Sequence, residues 1–258
     1  MTFSAGLAAA GFKPYAAIYS TFLQRGYDSV LHDVALQRLP VRMMIDRAGI
    51  SVADGATHHG IFDVSFLSHI PGVEIISPAT IGSLAAAVRY SRDIDHPIAI
   101  RYPNACEDGR VVERFYPEGD YADYGIRCDF KPENAPKNII VSYGKEIERA
   151  MDAQALLNAE GIECGLVLAE RIKPYDRLVD FLEPLASGRH ILFAEEGIKN
   201  GGAGMITESM LQERGVLSDA TFEIAAINDD FLTPTERCDI YDYAGISAER
   251  LAAYFRSK

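Results

Sequence analysis

The feature that most constrains this chain is an alternation. Short runs rich in β-branched and other apolar residues are separated by segments whose apolar residues recur every three or four positions. Residues 15–19, 41–45, 73–77 and 98–101 are the first set of runs, and residues 138–142, 164–168, 190–194 and 221–225 the second. Between the first two, Ser20-Thr21 offers a helix N-cap, and Tyr27, Val30, Leu31, Val34 and Ala35 repeat at helical spacing. Pro78-Ala79-Thr80 opens another helix, with Ile81, Leu84, Ala85 and Val88 on one face. Residues 146–160 read as a helix closed by Gly161, and 247–255 as a terminal one. Strand–helix–strand alternation of this kind means βαβ units and a mostly parallel sheet. The expectation is an α/β protein of two domains, each a mostly parallel sheet flanked by helices. From about residue 106 to 137 the pattern fails amid Pro117, Gly119, Gly125, Pro132 and Pro136. The expected division is therefore a first domain at 1–113, a linker at 114–137 and a second domain at 138–258.

Length agrees, since 258 residues suit two domains of ordinary size. The formal charge of −12 excludes a general nucleic-acid-binding surface and makes loop arginines informative. Cys106, Cys128, Cys164 and Cys238 are far apart, which speaks against a zinc site or disulfide framework and suits a reducing, cytoplasmic setting. No run approaches the roughly 20 apolar residues that span a bilayer. The first residues read as the end of a helix, with Gly11 as stop and Pro14 beyond. No capping residue precedes Met1, so the helix is expected to be cut into.

In open α/β sheets ligands sit beyond the C-terminal ends of strands. Those ends carry Tyr19, Ser20, Thr21, Phe22 and Arg25; then Asp46, Arg47 and the run Ala53-Asp54-Gly55-Ala56-Thr57-His58-His59-Gly60; then Arg101-Tyr102-Pro103. Arg47 and Arg101 have the fork geometry to hold a phosphate. Asp54 can accept hydroxyl hydrogens, His58 can move a proton near neutral pH, and Phe22 can stack on an aromatic ring. Each taken singly is as well explained by structure: Arg47 as half of a surface ion pair, His58-His59 as loop filler, Phe22 as core. Gly201-Gly-Ala-Gly204, before a helix, is either an anion-binding turn or a turn for close packing, and packing is preferred without a GxGxxG spacing. Glu195-Glu196 lies on a strand and must point to opposite faces, which favours structural roles.

The run 16–25, with Tyr27-Asp28, His32–Gln37, Leu39-Pro40, Asp46–Gly49, Ala53–Gly55, Thr57-His58, Gly60 and Arg101–Pro103, resembles the 1-deoxy-D-xylulose-5-phosphate synthase family. The resemblance covers essentially the whole chain. Residues 1 to about 113 are similar to the family's central, pyrimidine-binding domain, and those from about 138 to its transketolase C-terminal domain. It implies a transketolase-type transferase that condenses pyruvate with glyceraldehyde 3-phosphate, using thiamine diphosphate and magnesium. It implies Tyr19, Arg47, Asp54 and Arg101 at the phosphorylated acceptor, His58 at the cofactor-bound intermediate, and Phe22 with Arg25 at the aminopyrimidine ring. It assigns no metal ligand to this chain.

Two departures matter. The family's activating glutamate lies in a motif just before the stretch that here is Thr2-Phe-Ser-Ala-Gly6, and these 258 residues do not include it. The Gly-Asp-Gly motif for magnesium and diphosphate is also missing. Within the loop, Ser51-Val52, Ala56 and His59 stand where a Val-Gly-like pair, proline and glutamine are usual. The expectation is the central and C-terminal part of a synthase, inactive alone: a truncated product, a miscalled start or a separate subunit. A homodimer, or a partner carrying the N-terminal synthase domain, would complete it. The alternatives are a subunit of a split transketolase-like or 2-oxo acid dehydrogenase enzyme, and a non-catalytic dimerisation or regulatory partner of a full-length synthase.

Overall fold

The computed structural model describes residues 1–52, 54–121, 125–233 and 239–256. Ala53 and Cys238, singled out in the sequence, lie outside the described residues.

Among the described residues ten strands form two five-stranded sheets. The first holds β1 (Tyr15–Tyr19), β2 (Arg42–Asp46), β3 (Glu74–Ile76) and β4 (Ile98–Arg101) in the order β1-β2-β4-β3, all parallel. The second is built from β5 (Ile126–Cys128), β6 (Asn138–Ser142), β7 (Cys164–Ala169), β9 (His190–Ile198) and β10 (Thr221–Ile227). Its order is β10-β9-β6-β7-β5, parallel except for β5. Strands β3, β4, β6 and β7 are buried along their whole length, as central parallel strands covered on both faces must be.

The remaining strand, β8 (Arg171–Lys173), comes from the second half of the chain and pairs antiparallel with β3, on the outer edge of the first sheet. The Lys173 ammonium then donates to the carbonyls of Leu67 and Ser68, closing the C-terminal end of helix Asp63–Ser68. One apolar cluster runs through both halves, joining Val30, Met43 and Ile75 to Ile139, Leu178 and Phe193.

Several local expectations change. Ser20 does not cap its helix: Tyr19 occupies the N-cap position, and Ser20 is the first helical residue, pressed against Gly60. The following segment has the expected buried stripe of Val30, Val34 and Ala35, but Val30–Ala35 is wound as a π-helix. Helix Ile81–Ser91 starts at Thr80 in a capping box with Ser83. It buries Ser83, Ala86, Ala87 and Ser91, while Ile81 stays exposed. The reason is polar: Ser83 donates to the buried Glu170 at 2.7 Å, which turns the small-residue face inward. The irregular stretch after residue 106 carries helix Gly109–Phe115, capped by Asp108, and then β5. Helices Asp63–Ser68 and Asp176–Ala186 were not anticipated; the second buries Leu178, Val179 and Leu182. Among the described residues no helix is long and apolar enough to cross a membrane.

Candidate active site

Register places the site. In the first sheet Tyr19 is opposite Asp46, and Ile45 opposite Arg101. Three strands therefore end in a row, and the chain leaving each meets the others. The loop after β2 is closed on itself by a reciprocal pair of backbone bonds between Gly49 and Gly60, at 2.8 and 2.7 Å. It is tied to the segment after β4 by the Ala48 amide on the Tyr102 carbonyl at 3.0 Å. Gly60 admits no side chain, because a Cβ would fall 2.2 Å from the Arg47 carbonyl oxygen.

Five of the expected residues converge. The Tyr19 and Phe22 rings stack at 5.4 Å, and His58 meets Phe22 edge-on at 5.7 Å. The Arg47 guanidinium lies 4.4 Å from the Tyr19 ring centroid and pairs with the Asp54 carboxylate. Ser51 donates to the same carboxylate at 2.7 Å. That bond, with the Arg47 contact, holds the Asp54 carboxyl below its usual range. Thr57 holds His58 through Nδ1 at 2.9 Å, and Thr21 holds the Thr57 carbonyl at 3.0 Å. Arg47 adopts φ +55°, a left-handed conformation that costs a non-glycine residue energy. Phe22 is 43% exposed, so its side chain remains accessible beside these contacts. A cleft of 310 Å³ lies beside this cluster, with Arg47 and Asp54 on one wall and Lys145, Glu196 and Tyr241 of the second half on the other.

Two expected residues stand apart. Arg25 is exposed, in the 3₁₀ turn Gln24–Gly26. Arg101 is buried, and the expected joint grip of Arg47 and Arg101 on one phosphate is not what this arrangement presents. Its guanidinium is paired with the fully buried Asp63 at 3.0 Å, donates to Ser77 at 3.2 Å, and lies over the Tyr143 ring. A buried guanidinium needs its charge matched, and Asp63 supplies the match from behind the loop.

The glutamate pair divides as strand geometry requires. Glu195, fully buried, accepts from the backbone of Ala203 and Gly204, both at 3.0 Å, and from Tyr143 at 2.9 Å. The Gly201–Gly204 turn thus does present amides to an anion, and the anion is the chain's own carboxylate. The packing role preferred for this turn holds as well, since a Cβ on Gly204 would sit 3.0 Å from Ile224 and Phe193. Glu196 points the other way and accepts from the Ile50 amide at 2.8 Å. Asp63, Tyr143 and His59 were missed as contributors. His59 had a signal, as a departure from the family's loop. Asp63 and Tyr143 had none, because their partners are 38 and 52 residues away.

Residues 1–105 match the transketolase pyrimidine binding domain, and residues 130–251 the transketolase C-terminal domain. The chain carries two transketolase domains. It is 37% identical over 257 residues to 1-deoxy-D-xylulose-5-phosphate synthase of Syntrophotalea carbinolica, covering 100% of this chain and 39% of that one. It is 39% identical over 238 residues to the synthase of Clostridium acetobutylicum, covering 90% and 36%. The resemblance read from the sequence is borne out, and the chain spans under two fifths of these relatives' length. Among solved folds, a split gene transketolase described as an inactive beta4 tetramer matches with TM-score 0.73 at 22% identity, over 99% of this chain and 78% of that one. Transketolase from Campylobacter jejuni matches with TM-score 0.72 at 17% identity, over 99% and 37%.

Proposed function

We propose that this chain forms the acceptor side of a thiamine-diphosphate-dependent synthase that joins pyruvate to glyceraldehyde 3-phosphate, giving 1-deoxy-D-xylulose 5-phosphate and carbon dioxide. Such a product feeds isoprenoid, thiamine and pyridoxal synthesis. The observation that carries the reading is the convergence of Tyr19, Phe22, Arg47, Asp54 and His58 at adjacent strand ends, in a chain similar to such synthases throughout. Arg47 is an accessible cation for the acceptor phosphate, with Tyr19 and Asp54 fixing its direction. Arg101 supports the base of the loop through the Gly60 carbonyl, at 3.5 Å, rather than by open contact. His58 holds or moves a proton beside the aromatic pair.

The cofactor fits this chain at one point. Phe22 offers an exposed ring for the aminopyrimidine, with Arg25 one helical turn further on. Bound thiamine diphosphate supplies the carbanion stabilisation needed to decarboxylate pyruvate. The activating glutamate, the diphosphate ligands and the magnesium ligands are assigned to residues outside these 258. The polypeptide alone is therefore expected to be inactive, in a cytoplasmic setting, as a homodimer or with a chain that carries the N-terminal domain.

A second reading has one specific support. The fold of this chain matches that of a chain described as a split gene transketolase, with TM-score 0.73. That reading makes it a subunit of a split transketolase-like enzyme, and its mass in solution, alone and with candidate partner chains, separates the two readings. For the leading one, purified protein is incubated with pyruvate, glyceraldehyde 3-phosphate, thiamine diphosphate and magnesium, and acceptor binding is measured by calorimetry. Binding without turnover is expected, weakened at least tenfold in Arg47→Ala by loss of a charge-assisted contact of about 1.5–3 kcal/mol. Turnover by the lone chain, or binding indifferent to Arg47, would refute it.

A further inference from the structure

The loop that carries Arg47 and Asp54 is not held by the first sheet alone. Glu196, at the far end of β9 and only 7% exposed, reaches across and accepts the Ile50 amide at 2.8 Å. Gly49 lies against the same carboxyl group: with φ +92°, a Cβ there would fall 2.8 Å from the carboxyl carbon. The loop has been shaped to let this carboxylate in. The other carboxylate oxygen faces Arg149 at 3.1 Å. Arg149 in turn pairs with the buried Glu146 and lies 3.9 Å from the Tyr241 ring centroid. A second tie works inside the loop, where the Ser51 amide donates to Nδ1 of the buried His59 at 3.0 Å. Arg47 and Asp54 therefore flank a stretch whose middle is pinned from the second half of the chain.

We infer that Glu196 is a positioning residue: by holding the Gly49–Ile50 backbone it sets the geometry in which Arg47 and Asp54 face a phosphorylated acceptor. Acceptor affinity on the first sheet is then governed from the second. The ligand part of this inference rests on the acceptor reading proposed above; the contact itself does not. The arrangement also gives the second half a part in the active site through the backbone of the loop. A carboxylate is suited to the task, because it can accept from the loop amide while keeping Arg149 paired.

The test uses the whole chain in three forms: wild type, Glu196→Ala and Glu196→Gln. Amide hydrogen exchange is followed at Ile50 and Ser51 and, for comparison, along β6. Glycerol 3-phosphate serves as an unreactive probe of acceptor binding. In Glu196→Ala, Ile50 is expected to exchange about ten- to a hundredfold faster, the factor for losing one charge-assisted bond, with β6 unchanged. Probe affinity should fall by about tenfold or more in the same variant. Glu196→Gln keeps an oxygen for the Ile50 amide but not the charge, and its NH2 then faces Arg149, so both readouts should recover only in part, by about threefold or more over Glu196→Ala, which a general loss of stability would not do. Unchanged Ile50 exchange in folded Glu196→Ala overturns the inference, as does equal damage from Ala and Gln. If Glu196→Ala does not fold, Gly49→Ala presses on the same carboxylate from the loop side. It must show the same local exchange, or the inference fails. Absence of probe binding by the wild type would refute the acceptor reading, while the exchange data would still decide whether Glu196 holds the loop.

Discussion

Glu195→Gln puts the internal anion site to a direct test. Three donors converge on this fully buried carboxylate: the Ala203 amide and Tyr143 hydroxyl on Oε2, and the Gly204 amide on Oε1. Glutamine has nearly the same shape but only one acceptor oxygen. Whichever way its amide turns, an NH2 group faces a donor. One buried donor left unsatisfied costs about 1–3 kcal/mol, and the bonds that remain lose their charge assistance. Removing the negative charge from the N-terminus of helix Ala203–Glu213 adds roughly 0.3–1 kcal/mol. Burial works against the gain, since it raises the Glu195 pKa and so reduces the net worth of the charge. The sum is a loss of about 2–4 kcal/mol, or roughly 5–15 °C in Tm for a chain of this size. Urea titration followed by far-ultraviolet dichroism, at pH 7.5, measures it. Tyr143→Phe removes only one donor, leaves the two amides in place and should cost about 1.5–2 kcal/mol in the same assay. A Glu195→Gln protein within about 0.5 kcal/mol of wild type would refute the argument that the Gly201–Gly204 amides depend on this charge.

Other outcomes follow from the same geometry. Burial pushes the Glu146 carboxyl up to about 8 although Arg149 opposes the shift, and its Oε1 has no hydrogen-bond partner among the described residues. The folded state therefore keeps a proton that the unfolded state has released, and stability should fall as pH rises from the ordinary glutamate range to about 8; in Glu146→Gln urea midpoints across that range should be flat by comparison. Burial lowers the His59 pKa, so the neutral ring is the folded form and its Nδ1 stays free to accept from Ser51. That contribution is complete above the ordinary histidine range and is lost as pH falls through the lowered value; the Ser51 amide resonance should report it, and should not titrate in His59→Gln. Gly60→Ala should cost about 1–3 kcal/mol by overpacking, and abolish glycerol 3-phosphate binding, because the new methyl meets the Arg47 carbonyl. Normal binding by that variant would show that the Gly49–Gly60 closure is dispensable.

The strands were legible because central parallel strands are continuous apolar runs bounded by turn residues, as residues 98–101 and 138–142 show. The active-site loop was legible because its chemistry is local: Asp54, Ser51 and Arg47 find one another within seven residues. Helix Asp63–Ser68 was not, since six residues give less than two turns of periodicity. The inner face of Ile81–Ser91 is only partly legible, for a different reason. Hydrophobicity points to Ile81, Leu84, Ala85 and Val88; Leu84 and Val88 do pack against the core, but Ile81 stays exposed, and a polar contact of Ser83 87 residues distant draws the small-residue side fully inward. Arg101 illustrates the same limit. Its placement at a strand end was correct, but only Asp63 and Ser77, far away in sequence, reveal that its side chain is already committed.

Strand β8 has a consequence for how this pair of sheets can be inherited or engineered. It is drawn from the second half of the chain, yet it seals the outer edge of the first sheet. A fragment ending at residue 113 would leave the polar edge of β3 without its partner and remove Lys173 from the end of helix Asp63–Ser68. The two halves are stitched as well as linked. A recombination event or a designed chimera that exchanges one half for a distant counterpart must therefore carry residues 171–173 with the first sheet, although they are encoded within the second.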